Sequence, residues 1–294
     1  MNFLRPITNP ISRLLIALLS VAVLGGCMTL KNEYSFQAAV ESNAPSSEVL
    51  TNNPGHLQKN DLEQVISNLE NQLRLDDNDP DAWNRLSSNL ILLGTAFGES
   101  RSEKMELFKL ASASAIESMK RSNPEIAESL LSGQRIWEVA PLVSEAEMQA
   151  TLFWVTSVLY TFREGMVQPQ PMLNVKWIRR SELLLKRMEE IDPNWSGGAV
   201  LFSLALIYHA IPEVIGGDSD LAQEYLERAV SASDQWMLPR WGRATYFLIP
   251  EGRLQEARED LQYVLSLEIE DQGKESTLWR TYFNRDAKEQ LKRL

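Results

Sequence analysis

From Asp61 to Leu294 the chain is a succession of amphipathic helical segments, and no run between them alternates polar and apolar residues as a half-buried strand must. That periodicity restricts the fold to helix packed on helix, because each apolar stripe has to be covered by a neighbour. Local punctuation separates the segments. Asp61 is placed to cap a helix running to about Leu75, and Asn78-Asp79-Pro80 breaks the chain before the next. There Asp79 supplies the N-cap oxygen and Pro80 takes the first helical position, where a missing N–H costs nothing. The helix bearing Trp83, Leu86, Leu90, Leu93 and Phe97 ends near Gly98, and one over residues 102–121 stops at Asn123-Pro124. Further helices are predicted over 144–164, 173–190, 195–210, 218–233, 239–248, 254–267 and 277–294.

Paired helices joined by short loops predict an all-α, α-solenoid architecture of antiparallel pairs. A repeat supports this. Trp241, Ala244, Thr245 and Leu248 on one helix are followed by Ala257, Leu261 and Val264 on the next. This spacing resembles tetratricopeptide repeats, in which small residues let two helices approach and large ones fill the gap beside them. Ala222, Leu226 and Ala229 repeat the second half. Ser112, Ile116, Met119 and Pro124 do so more loosely, as do Ser181, Leu185, Met188 and Pro193.

The N-terminus carries a different signal. Arg5 and Arg13 precede an apolar stretch over residues 14–24, which is shorter than the ~20 residues a membrane-spanning helix needs. It ends in Leu24-Gly25-Gly26-Cys27, which resembles the lipobox of bacterial lipoproteins. The expectation is a signal peptide over 1–26 and a lipid on Cys27, the chain's only cysteine. No disulfide is then available to the exported domain, which its core alone must hold. Met28, in place of Asp after the anchor, favours the outer membrane, facing the periplasm, by resemblance to enterobacterial sorting. Residues 27–60 are polar and rich in turn formers, such as Asn43-Ala44-Pro45-Ser46-Ser47, and read as a flexible tether before the helical domain of 61–294.

The formal net charge of −11 disfavours nucleic acid as a partner. Chemistry is sparse. The two histidines are His56, in the tether, and His209, within an apolar helix, so no transition-metal site is expected. Gly216-Gly217-Asp218 lacks the Lys-Ser/Thr of a phosphate loop. Carboxylates fall in runs such as Glu256-Ala257-Arg258-Glu259-Asp260 that suit solvated helix faces. Neither a catalytic constellation nor a cofactor is predicted. Aromatic residues crowd the middle of the chain, among them Trp137, Phe153, Trp154, Tyr160, Phe162, Trp177, Trp195, Phe202, Tyr208, Trp236, Trp241 and Tyr246. Most are expected in the core, with a minority on a surface or channel that takes an apolar or amphipathic ligand.

One segment is more specific. Asp192-Pro193-Asn194-Trp195-Ser196-Gly197-Gly198-Ala199 leads into a helix ending Tyr208-His209-Ala210-Ile211-Pro212. Glu213-Val214-Ile215-Gly216-Gly217-Asp218 and then Leu221-Ala222-Gln223-Glu224-Tyr225-Leu226-Glu227-Arg228-Ala229 follow. This block resembles the T-component family of tripartite ATP-independent periplasmic (TRAP) transporters. Phe153-Trp154 resembles that family's aromatic pair, and Asn284, Ala287 and Leu291 its last helix. The resemblance implies a lipid-anchored helical-repeat accessory protein, a homotrimer with a pore through each subunit, and association with the periplasmic solute-binding component. Carried onto this chain, it points to Phe153, Trp154, Trp195, Tyr208, Gly216, Gly217 and Asp218 as the ligand or pore surface. The turn at 216–218 also has a purely structural reading, with positive φ at the glycines and a cap from Asp218 or Ser219. The repeats alone equally fit a generic tetratricopeptide scaffold for envelope assembly, without a pore.

Overall fold

A computed structural model describes residues 57–167, 170–270 and 275–294. Cys27, His56 and almost all of the expected tether lie outside them. The described chain is all-α. It comprises α1 (Lys59–Leu75), α2 (Pro80–Phe97), α3 (Arg101–Ser122), α4 (Pro124–Leu131), α5 (Met148–Tyr160), α6 (Gln170–Asn174), α7 (Lys176–Ile191), α8 (Trp195–Ala210), α9 (Ser219–Ser231), α10 (Leu238–Arg243), α11 (Leu254–Ser266) and α12 (Thr277–Arg293). Consecutive helices pack on one another, most extensively α2 on α3 and α8 on α9. Among the described residues no helix is long and apolar enough to cross a membrane.

The caps explain where helices begin. The Asp79 carboxylate accepts from the Ala82 N–H at 2.9 Å with Pro80 in the first turn, as expected. Ser100 accepts from the Glu103 N–H at 3.1 Å, and the Glu103 carboxylate reaches back to the Glu99 N–H at 2.9 Å. Asn123 accepts from the Glu125 and Ile126 N–H groups, so the Asn-Pro that ends α3 also starts α4. Asp61, by contrast, sits within the first turn of α1, which begins two residues earlier at Lys59.

Small residues set the close helix pairs. Ala222, Leu226 and Ala229, Ala257, Leu261 and Val264, and Ser181, Leu185 and Met188 are all buried. On α3 the buried stripe is Ala111, Ser114, Ala115 and Ser118 beside Met119, whereas Ser112 and Ile116 are half-exposed. The phase differs from the expected one because hydrogen bonds to α2 hold the stripe. Ser87 donates to the Ala111 carbonyl at 2.8 Å, and Ser118 to the Pro80 carbonyl at 2.9 Å.

Three departures from regular helix interrupt these elements. The expected helix over 144–164 is α5 followed by a π-turn, Thr161–Gly165, and that over 239–248 is α10 followed by a π-turn, Ala244–Leu248. Each π-turn inserts an extra residue per turn and rotates the downstream side chains off the α-helical stripe. At the start of α8, Ser196, Gly197 and Gly198 are left-handed, with φ of 52°, 64° and 83°.

The last helix packs against the first of the described residues. A single apolar cluster joins Leu62, Leu86 and Phe108 to Trp241, Leu261 and Phe283. Trp279 of α12 donates to the Ser88 hydroxyl of α2 at 2.9 Å, and Arg285 donates to the Leu57 carbonyl at 3.1 Å while lying over the Phe97 ring.

Candidate functional site

Between α2, α5, α8, α10 and α12 lies a cavity of about 660 Å³, within the range of small-molecule sites. Its wall is aromatic. Phe153 and Tyr160 come from α5, Trp195 and Phe202 from α8, Trp241 from α10, and Trp279 and Phe283 from α12. The π-turns add Phe162 and Arg163 from one and Thr245 and Tyr246 from the other. The rings brace each other. Phe202 stacks on Tyr246 at 6.3 Å between centroids, Trp241 meets Tyr246 edge-on at 5.4 Å, and Trp279 meets Phe283 at 5.5 Å. Tyr160, the last residue of α5, faces Tyr246 of the second π-turn through their hydroxyls, 3.4 Å apart. Burial pushes both phenols upward, so each keeps its proton.

The left-handed turn shapes one wall. A Cβ on Gly197 would lie 2.1 Å from the Trp236 ring, and one on Gly198 would lie 2.8 Å from the Ala229 carbonyl oxygen. Glycine is therefore required twice, for its conformation and for space. Ser196 shares the conformation without being glycine, a strained geometry that nearby packing has to hold. The turn delivers Trp195 and Ser196 to the cavity.

Ionisable groups on the wall are few. Glu275 accepts from the Met237 and Leu238 N–H groups at 2.7 and 2.8 Å and pairs with the fully buried Arg280 at 3.0 Å. Burial raises its carboxyl above the usual range against those bonds. The same Arg280 donates to the Gln235 and Glu268 carbonyls, pinning the chain before α10 to α12. His209 lies 4.6 Å from the Phe247 ring, and desolvation lowers it below the ordinary histidine value, opposed by Glu251. Arg163 places its guanidinium carbon 3.9 Å from the centre of the Tyr246 ring.

Of the residues the resemblance pointed to, Phe153 and Trp195 line this cavity, and the structure brings them together across it. The others do not line it. Trp154 is buried and is not part of the wall. Tyr208 donates to Glu182 at 2.6 Å, stacks on Tyr225 at 5.7 Å, and is pushed up to about 12 by burial and by Glu182. The turn at 216–218 lies at the surface, away from this cavity wall. Gly216 has φ of 94°, whereas Gly217 does not take the positive φ expected of it; Arg179 clamps the Ile215 and Gly216 carbonyls at 2.9 and 2.6 Å, and Asp218 accepts from the Leu221 N–H at 2.9 Å to cap α9. Trp279, Phe283 and Arg163 were not anticipated. The four-residue spacing of Trp279 and Phe283 marks an apolar helix stripe, and nothing local says that it faces a void.

The sequence model of a family described as TRAP transporter T-component matches residues 98–294. That span holds all of the cavity wall except Ser88 and Ile91. No curated protein matches the sequence.

Proposed function

The chain belongs to the TRAP transporter T-component family, and on that premise we propose that it is a lipid-anchored protein that binds the periplasmic solute-binding component and takes an apolar ligand into its cavity. Its family places it as an accessory component of a TRAP transport system in the bacterial envelope, a transport family and not an enzyme family. The observation that carries the ligand reading is the aromatic cavity of about 660 Å³ within the matched span. Such a wall favours apolar surface, because burying it recovers about 25 cal/mol per Å² removed from water.

Attachment through Cys27, on the outer membrane, completes the reading. Confinement at a membrane raises the local concentration of a tethered protein for a partner working at the same surface. A homotrimer, as the resemblance implies, belongs to the same proposal, and light scattering on the purified protein tests it.

The decisive experiment is affinity purification of the tagged protein from detergent-solubilised envelopes. Recovery of a solute-binding protein and TRAP permease subunits is expected. Recovery of envelope-assembly machinery alone would replace this reading with the tetratricopeptide scaffold.

A further inference from the structure

The polarity of the cavity wall is uneven, and its charged groups differ in how far they are already satisfied. The Glu275 carboxylate is consumed by two backbone N–H groups and Arg280. His209 is held toward its neutral form by desolvation. Arg163 is different. Like His209 it lines the cavity and is exposed, so both stand where the cavity opens to solvent, but its own charge is not already engaged. Its sequence neighbour Glu164 is engaged by Lys104 at 2.5 Å. Among the described residues Arg163 has no carboxylate partner and no hydrogen bond, its contact being the Tyr246 ring. A guanidinium keeps its charge at any working pH, and its fork of N–H donors matches a carboxylate, sulfonate or phosphate head in two parallel bonds.

The setting makes this cation selective. The protein as a whole carries a formal net charge of −11, so it repels free anions and offers them little by way of a general field. One unpaired arginine at the mouth, the protonated hydroxyls of Tyr160 and Tyr246 beside it, and an aromatic interior define a site with one end suited to an anion and one to an apolar body.

We propose that the cavity takes an amphipathic anion, whose charged head sits on Arg163 and whose apolar body lies between Phe153, Trp195, Phe202 and Trp279. The inference rests on the reading of the cavity as a ligand site and adds the chemical class of the ligand. An uncharged hydrocarbon would leave Arg163 without a partner. A cationic amphiphile would be repelled by it.

Trp195, Trp241 and Trp279 on the wall supply the readout. Tryptophan fluorescence of the purified protein is titrated, below micellar concentrations, with dodecanoate, dodecanol and dodecyltrimethylammonium. Saturable binding of dodecanoate is expected at least tenfold tighter than that of dodecanol, with the cation weakest. Arg163→Met should cost dodecanoate tenfold or more and leave dodecanol unchanged, and Arg163→Lys should recover part of the loss. Equal binding of dodecanoate and dodecanol, or dodecanoate binding indifferent to Arg163→Met, overturns the anionic head and leaves an apolar cavity site. Failure of all three probes overturns the ligand site itself.

Discussion

Arg280 shows how one side chain ties the site to the fold. It is fully buried, pairs with Glu275, and donates to two main-chain carbonyls on either side of α10 and α11. Replacement by Met keeps the volume and removes every one of those bonds, leaving a buried carboxylate without its counter-charge. Arg280→Met should destabilise the protein by about 3–5 kcal/mol, the cost of orphaning one partner of a buried pair, as read by urea unfolding. His209 gives a pH signature. Its pKa is depressed in the folded state, so the unfolded chain binds a proton first as the pH falls. Stability should therefore decline below pH 6.5, and His209→Gln should remove part of that decline; matching pH profiles of melting temperature for the two proteins would contradict this assignment. A single ionisable residue in an apolar run was legible in the sequence. That its ring meets Phe247 and borders a cavity was not, because Phe247 belongs to a different part of the chain.

At the scale of elements, caps were the most legible feature. Asp79 and Asp218 act within three residues of their own positions, so local order is enough to recognise them, whereas Asn123 was read only as the end of a helix and not as the cap of α4. The π-turns and the left-handed turn were not legible. A helical stripe predicts one continuous phase, and each π-turn displaces that phase by one residue, roughly 100° of rotation. Gly242 shows what the packing of elements demands. A Cβ there would lie 2.1 Å from the tip of the Phe202 ring, so α10 approaches α8 through a missing side chain. Gly242→Ala should push that ring toward the cavity, cost about 1–3 kcal/mol by overpacking, and weaken the binding of apolar probes in the same fluorescence titration. Gly197→Ala adds a left-handed alanine to a clash with Trp236, and thermal unfolding should show it to be the more damaging of the two.

At the scale of the whole described chain, the closure of α12 on α2 and on Leu57, just before α1, turns a string of paired helices into an enclosure. The contacts that make it, Trp279 to Ser88 and Arg285 to Leu57, join residues near opposite ends of the described chain. The proposed placement at a membrane belongs to this scale too. Cys27→Ser should abolish incorporation of labelled palmitate and release the protein from the membrane fraction while leaving its circular dichroism unchanged. A variant still labelled and membrane-bound would remove the lipid anchor from the proposal.

The all-α class, most helix boundaries and the buried stripes of α7, α9 and α11 follow from the sequence by itself. Periodicity and capping act over a few residues, and burying a stripe needs only some apolar neighbour. The cavity is a product of the tertiary structure. Phe153, Trp195, Trp241 and Trp279 carry the same apolar signal as the core residues Trp154 and Leu261, since facing inward looks alike whether the space beyond is filled or open. Only the meeting of α2, α5, α8, α10 and α12, with two π-turns aiming their side chains across it, decides that these residues surround a void and that Arg163 stands at its mouth.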